Sequence, residues 1–184
     1  MNRIERAAIL CDLVNRLRDA GSWAGETHIQ KAVFLLQDLL GVPTDYQFIL
    51  YKHGPYSFDL SDDLTAFRAD RLLEWQIQPP PYGPRYAVTE LGGRVRAQCS
   101  ATLTAHERAL GSGASAIGSK TVGAVERLAT ALYVTKREGG KHDGSVRGRA
   151  EYLHRLKPHV SVEDAVAAIE EIGTLSQKLS STDE

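Results

Sequence analysis

Cysteine is nearly missing, which excludes two architectures at once. Only Cys11 and Cys99 occur among 184 residues, too few for a disulfide framework or a cysteine-based metal site. Each falls inside a helical pattern and reads as a buried small hydrophobe. A dominant charge is missing too: 22 basic residues meet 23 acidic ones, for a net charge of -1, so a nucleic-acid partner has to be argued from patches. No apolar run approaches the roughly 18–20 residues that a bilayer-spanning helix needs. Residues 1–20 scatter Arg3, Glu5, Arg6, Asp12, Arg16, Arg18 and Asp19 through their apolar positions, unlike the hydrophobic region of a secretory signal. A globular cytoplasmic protein is expected, large enough to bury a core unaided.

Helical periodicity is what the chain has in abundance. Leu10, Leu13, Val14 and Leu17 predict a helix over 4–19, ended by Gly21. Thr27-His28-Ile29-Gln30 matches a capping box opening a second helix, whose buried face is Ile29, Val33, Leu36 and Leu40 before Gly41-Val42-Pro43. Residues 46–51 favour a short strand that His53-Gly54-Pro55 ends. Ser57 or Ser61 caps a third helix carrying Leu60, Leu64 and Phe67 to about Asp70. Leu73, Trp75 and Ile77 then alternate with Glu74, Gln76 and Gln78, prolines crowd residues 79–84, and Tyr86 and Val88 resume the alternation. That pattern predicts a hairpin with a long, stiff tip.

Thr89 caps a helix through Leu91, Val95 and Cys99, and Thr104-Ala105-His106-Glu107 is a second capping-box match. Residues 111–121 have the glycine and serine content of a flexible connector. Beyond it Val122, Val125, Leu128, Ala129, Leu132 and Tyr133 form a stripe, a basic glycine-rich loop spans 136–148, and Ala150, Leu153 and Leu156 suggest a short helix. Ser161 with Asp164 opens a last helix with the stripe Val162, Ala165, Val166, Ile169, Ile172 and Leu179, frayed over 180–184. The expected fold class is mainly α with a small β hairpin. Residues 1–100 form a winged helix-turn-helix-like domain, 101–121 a helix end and connector, and 122–184 a helical tail that packs on the domain or forms an interface.

Helix, helix, strand, helix and hairpin follow the order of a winged helix. Three blocks sharpen it: His28-Ile29-Gln30-Lys31, Tyr51-Lys52-His53-Gly54-Pro55-Tyr56-Ser57 and Tyr86-Ala87-Val88-Thr89-Glu90-Leu91-Gly92. Through them the chain resembles the YwgA-like family of small bacterial proteins, itself similar to the Panacea-type domain of antitoxins. The resemblance covers about residues 5–95 and, more loosely, Leu128-Ala129-Thr130-Ala131-Leu132-Tyr133. It implies a protein that holds a partner, in a toxin–antitoxin or phage-defence setting, and brings no catalytic residue with it.

Gly54, Pro55 and Ser57 have an evident backbone role in turning the chain and starting the next helix. Lys52, His53 and Tyr56, with Asp59, Asp62 and Asp63 on the third helix, are the candidate protein-partner surface. Groove reading of DNA is disfavoured there, because residues 57–75 hold Asp59, Asp62, Asp63, Asp70 and Glu74 against Arg68 and Arg71, and the wing adds only Arg85. Nucleic acid would instead meet Lys136, Arg137, Lys141, Arg147 and Arg149, joined by Arg94 and Arg96; Arg155 and Lys157 extend that basic segment. Gly113 to Thr121 imitates a phosphate-binding loop, but Ser119 puts Lys120 out of register and no strand precedes it. The six histidines form no metal-ligand pair on one helix face. The expectation is a non-enzymatic binding protein, antitoxin-like or a regulatory adaptor, without cofactor or metal, that engages another protein or a second copy of itself. The alternative is a DNA-binding transcription regulator using the basic C-terminal surface.

Overall fold

Capped helices with apolar stripes dominate the local structure, and burying the stripes against one another positions everything else. The computed structural model describes residues 1–80 and 83–180. It is mainly helical, with two small antiparallel hairpins. Helix α1 (Arg3–Asp19) starts in a capping box: Glu5 N donates to Asn2 Oδ1 and Asn2 N donates to Glu5 Oε2, each at 2.9 Å. Its predicted stripe of Leu10, Leu13, Val14 and Leu17 is fully buried.

Helix α2 (Glu26–Asp38) runs through the middle, with residues 28–36 all buried. The capping box expected at Thr27 and Gln30 is not formed; Gly25 is the N-cap and supplies no side-chain cap. Gln30 turns inward instead: Nε2 donates to Ser57 O and Ser57 N donates to Oε1, both at 2.9 Å. In a buried site that paired amide link outweighs an exposed cap, because Gln30 Oε1 is the acceptor for the Ser57 N–H, whereas Ser57 O also accepts from Ser61 N at 3.2 Å.

Strand β1 (Ile49–Tyr51) pairs antiparallel with β2 (Gly54–Tyr56), Tyr51 opposite Gly54. The segment expected to stop at His53-Gly54-Pro55 therefore turns there and returns, with Gly54 at φ +85. Ser57 Oγ then accepts from Leu60 N at 3.3 Å and caps α3 (Phe58–Ala69). Strands β3 (Leu73–Gln76) and β4 (Arg85–Val88) form the expected second hairpin, with Trp75 opposite Tyr86. Its predicted alternation fails at one edge: Leu73 is buried, whereas Trp75 and Ile77 are exposed. The winged-helix order is kept, with a hairpin standing where a tight turn would join α2 to α3.

Then follow α4 (Glu90–Gln98), capped by Thr89 as predicted, α5 (Ser100–Ala105), α6 (Glu107–Gly118), α7 (Val122–Arg137), a 3-10 turn (Gly139–Lys141), α8 (Val146–Leu156) and α9 (Val162–Ser180). The second capping-box match is not used, since Thr104 lies within α5 and His106 at the N-cap of α6 supplies no side-chain cap. The expected connector over 111–121 is helical as far as Gly118. A Cβ at Gly113 would come within 2.9 Å of Leu36 Cδ2, and one at Gly118 would collide with Ala20. Glycine serves here for close helix packing rather than for flexibility.

Helix α7 packs on α2 and β2, and α8 and α9 pack on α7. One hydrophobic cluster runs from Ala7 to Ile172, so α7, α8 and α9 contribute to the same core as the first helices. Cys11 is fully buried, which pushes its thiol up to about 12, but Cys99 at the end of α4 is only partly buried. The expectations for Pro81 and Tyr82, for the Leu179 side chain and for fraying beyond residue 180 lie outside the described residues. No helix among the described residues is long and apolar enough to cross a membrane.

Candidate functional site

The β1–β2 hairpin rests on α7 at close range. At Gly54 a Cβ would stand 3.0 Å from Thr130 Oγ1 and 3.5 Å from Lys31 Cε. Beneath the hairpin three charged side chains come together from α2, α7 and the end of α8: Lys31, Glu126 and Lys157, all buried. Lys157 Nζ lies 3.3 Å from Glu126 Oε1, donates to Tyr51 O at 3.0 Å and also donates to Lys52 O. Expected to extend the basic segment proposed for nucleic acid, Lys157 is instead the tether that pins the hairpin to the helical layer. At the rim, His53 Nδ1 is 3.6 Å from Glu126 Oε2 and His159 Nε2 is 3.8 Å from Oε1.

Lys31 is only 2% exposed. Burial drives its pKa down to about 8; Glu126 opposes that shift, Lys157 adds to it and Glu26 opposes it. Lys31 lines a cavity of about 270 Å³ together with Glu26, Thr27, Gln30, Tyr51, His53 and Tyr56.

On the outside of the same hairpin, three aromatic rings lie against one another. Tyr51 and Tyr56 are 5.8 Å apart by centroid, Tyr51 and Phe58 5.9 Å, and Tyr56 and Phe58 5.1 Å. Tyr51 and Phe58 nevertheless remain 56% and 55% exposed. Asp59 and Asp62 are exposed on α3 alongside, as are Lys52 and His53 on the hairpin turn.

Comparison with protein-family models and with curated proteins gives no match. Geometry therefore carries the reading of the site. Of the proposed partner-binding residues, Lys52, His53, Tyr56, Asp59 and Asp62 lie on or beside this hairpin. Asp63 departs from that set: it accepts from Arg6 Nε at 3.1 Å and from Tyr46 Oη at 2.8 Å, and so ties α3 to α1. Tyr56 Oη donates to Glu26 Oε1 at 3.1 Å.

Sequence reasoning missed Lys31, Glu126, Lys157, Glu26, Tyr51 and Phe58 as site residues. A signal for the first two did exist. Lys31 sits in Ile29-Gln30-Lys31-Ala32-Val33-Phe34-Leu35-Leu36 and Glu126 in a stretch running on through Leu128-Ala129-Thr130-Ala131-Leu132. Helices apolar on every side are buried on every side, and their polar residues with them.

The seven candidate nucleic-acid contacts are spread over α4, the end of α7, the 3-10 turn and α8. Four of them are held by carboxylates of the same chain. Arg94 meets Glu90 at 2.6 Å, Arg147 meets Glu151 at 2.8 Å, and Arg137 reaches both oxygens of Asp38 at 2.7 and 2.8 Å and Phe48 O at 3.0 Å. Arg96 grips Asp12, itself 2% exposed, and so fastens α4 to α1. Arg149 donates to Ser145 O at 3.3 Å and Thr135 Oγ1 at 3.4 Å, while Lys136 and Lys141 stay exposed. The phosphate-loop imitation is α6 itself and the turn after it, where Lys120 pairs with Glu171 at 2.9 Å. Among the described residues no group of three or more His, Cys, Asp or Glu side chains is placed to hold a metal ion.

Proposed function

We propose that this chain is a cytoplasmic, non-enzymatic binding protein, antitoxin-like or a regulatory adaptor, that captures a protein partner through the face built by the first hairpin and the start of α3. The carrying observation is the aromatic triad of Tyr51, Tyr56 and Phe58, in which Tyr51 and Phe58 are exposed and Tyr56 is half-buried between them and Glu26. Aromatic side chains are enriched at interface hot spots, and leaving large rings in water on one continuous face is unfavourable unless something covers them. Asp59 and Asp62 flank the rings, so the partner that fits offers an apolar centre with a cation at its edge. The resemblance of the Tyr51 to Ser57 block to antitoxin-related families supports a toxin–antitoxin or phage-defence setting. Intramolecular neutralisation of Arg94, Arg96, Arg137 and Arg147 leaves the DNA-regulator reading less to work with.

Affinity capture of tagged protein from native lysate, with and without nuclease, tests the reading. A stoichiometric, nuclease-resistant protein is expected. Its capture should fall about tenfold or more in Phe58→Ala, the loss of a hot-spot residue, with unchanged circular dichroism. Recovery of nuclease-sensitive DNA alone would overturn it.

A further inference from the structure

Neither core packing nor the partner face accounts for Lys31. Lys31 is 2% exposed and no described residue accepts a hydrogen bond from its Nζ; the buried side-chain oxygen left without a hydrogen bond among the described residues is Glu126 Oε1 beside it, 3.3 Å from Lys157 Nζ. Lys31 borders the cavity of about 270 Å³ under the hairpin. Glu26 borders the same cavity, and its Oε1 takes hydrogen bonds from Tyr56 Oη at 3.1 Å and Ser61 Oγ at 2.9 Å. Its Oε2 receives none from a described residue. The cavity thus presents one cation and one carboxylate, each with unused hydrogen-bonding capacity, and two tyrosines among its walls.

Charge of both signs selects against a simple anion, which Glu26 would repel, and against a simple cation, which Lys31 would repel. The volume lies just under the roughly 300–1,000 Å³ of sites for drug-sized ligands, so the occupant is small. A molecule of that size with an anionic and a cationic end satisfies both walls, and an ammonium is also attracted to aromatic rings. We propose that this cavity binds a free amino acid or a small zwitterion of that class, its carboxylate on Lys31 Nζ and its ammonium toward Glu26, Tyr51 and Tyr56. The site goes beyond partner capture and does not depend on it.

Calorimetry and thermal melts of the full chain with the twenty free amino acids test this, with propanoate and propylamine as single-charge controls. At least one amino acid should bind saturably at one site per chain, and each control about tenfold or more weakly, since each lacks one charge-assisted contact. Lys31→Met and Glu26→Gln should each weaken binding by a similar factor. Glu26→Gln sits at the half-buried edge of the cavity and keeps the test readable if Lys31→Met perturbs the fold. Absence of saturable binding by any amino acid overturns the proposal. So does equal binding of propanoate, which would make this an anion site, or amino-acid binding indifferent to both variants.

Discussion

Lys31 and Gly54 concentrate the constraints of the hairpin region in two side-chain positions. Lys31 has its pKa brought from 10.5 to about 8 by burial, among Glu126, Lys157, Glu26 and His53. A lowered folded-state pKa means that between about pH 8 and 10.5 the unfolded chain binds more protons than the folded one. Stability contributed by this group therefore rises with pH across that window, by up to about 3 kcal/mol. Cys11, held at about 12 by burial, and Tyr46, whose hydroxyl burial also pushes up, act in the opposite direction above about pH 9. The measurement is accordingly the difference in denaturant stability between wild type and Lys31→Met: wild type should gain on the variant from pH 8 to 10.5, and a flat difference would remove the buried ammonium. At Gly54, φ is +85 and a Cβ would press on Thr130 Oγ1 at 3.0 Å. Gly54→Ala should cost about 1–3 kcal/mol through backbone strain and crowding. The matching fall in melting temperature is about 2–4 °C per kcal/mol for a chain of this size. The glycine's role in turning the chain was legible from His53-Gly54-Pro55. Its nearness to Thr130 and Lys31 was not, because those residues are brought there by α7 and α2.

Periodicity made most helices legible, and composition misled where it replaced periodicity. Stripes and caps predict α1, α2, α3, α4, α7, α8 and α9, with boundaries within a few residues of those observed. The glycine and serine content of residues 111–118 predicts a connector, yet Leu110, Ala114 and Ile117 keep helical spacing and all are buried. Gly118→Leu discriminates the two readings. A connector would accept it within about 0.5 kcal/mol, as surface substitutions do, whereas the observed packing on Ala20 predicts a loss of about 3 kcal/mol or more by chemical denaturation. The aromatic face on β1, β2 and the start of α3 was half visible: Tyr56 was picked from its polar end. Tyr51 and Phe58 join it only once the strand reverses at Gly54 and brings the three rings together.

At the scale of the whole molecule, α7, α8 and α9 share one buried cluster with the first hundred residues. Val125, Leu128 and Leu132 of α7 and Leu153 of α8 share the buried cluster with Val33, Phe34 and Leu36 of α2. A chain cut after residue 121 should therefore lose its cooperative thermal transition by circular dichroism, whereas a free-standing 1–100 domain would keep one. What the sequence determined by itself is the mainly helical class, most helix starts, the wing hairpin and the balance of charge, because caps, stripes and turn residues act over a few neighbours. Only the tertiary structure decided which charges are free. Arg96, Arg137 and Lys157 looked alike as surface cations, but Asp12, Asp38 and Glu126 capture them from far along the chain. It also decided that Lys31 would be buried beside a cavity under the hairpin. Both outcomes depend on helices separated in sequence packing side by side, and pairings at that range leave no periodic trace in the residues that make them.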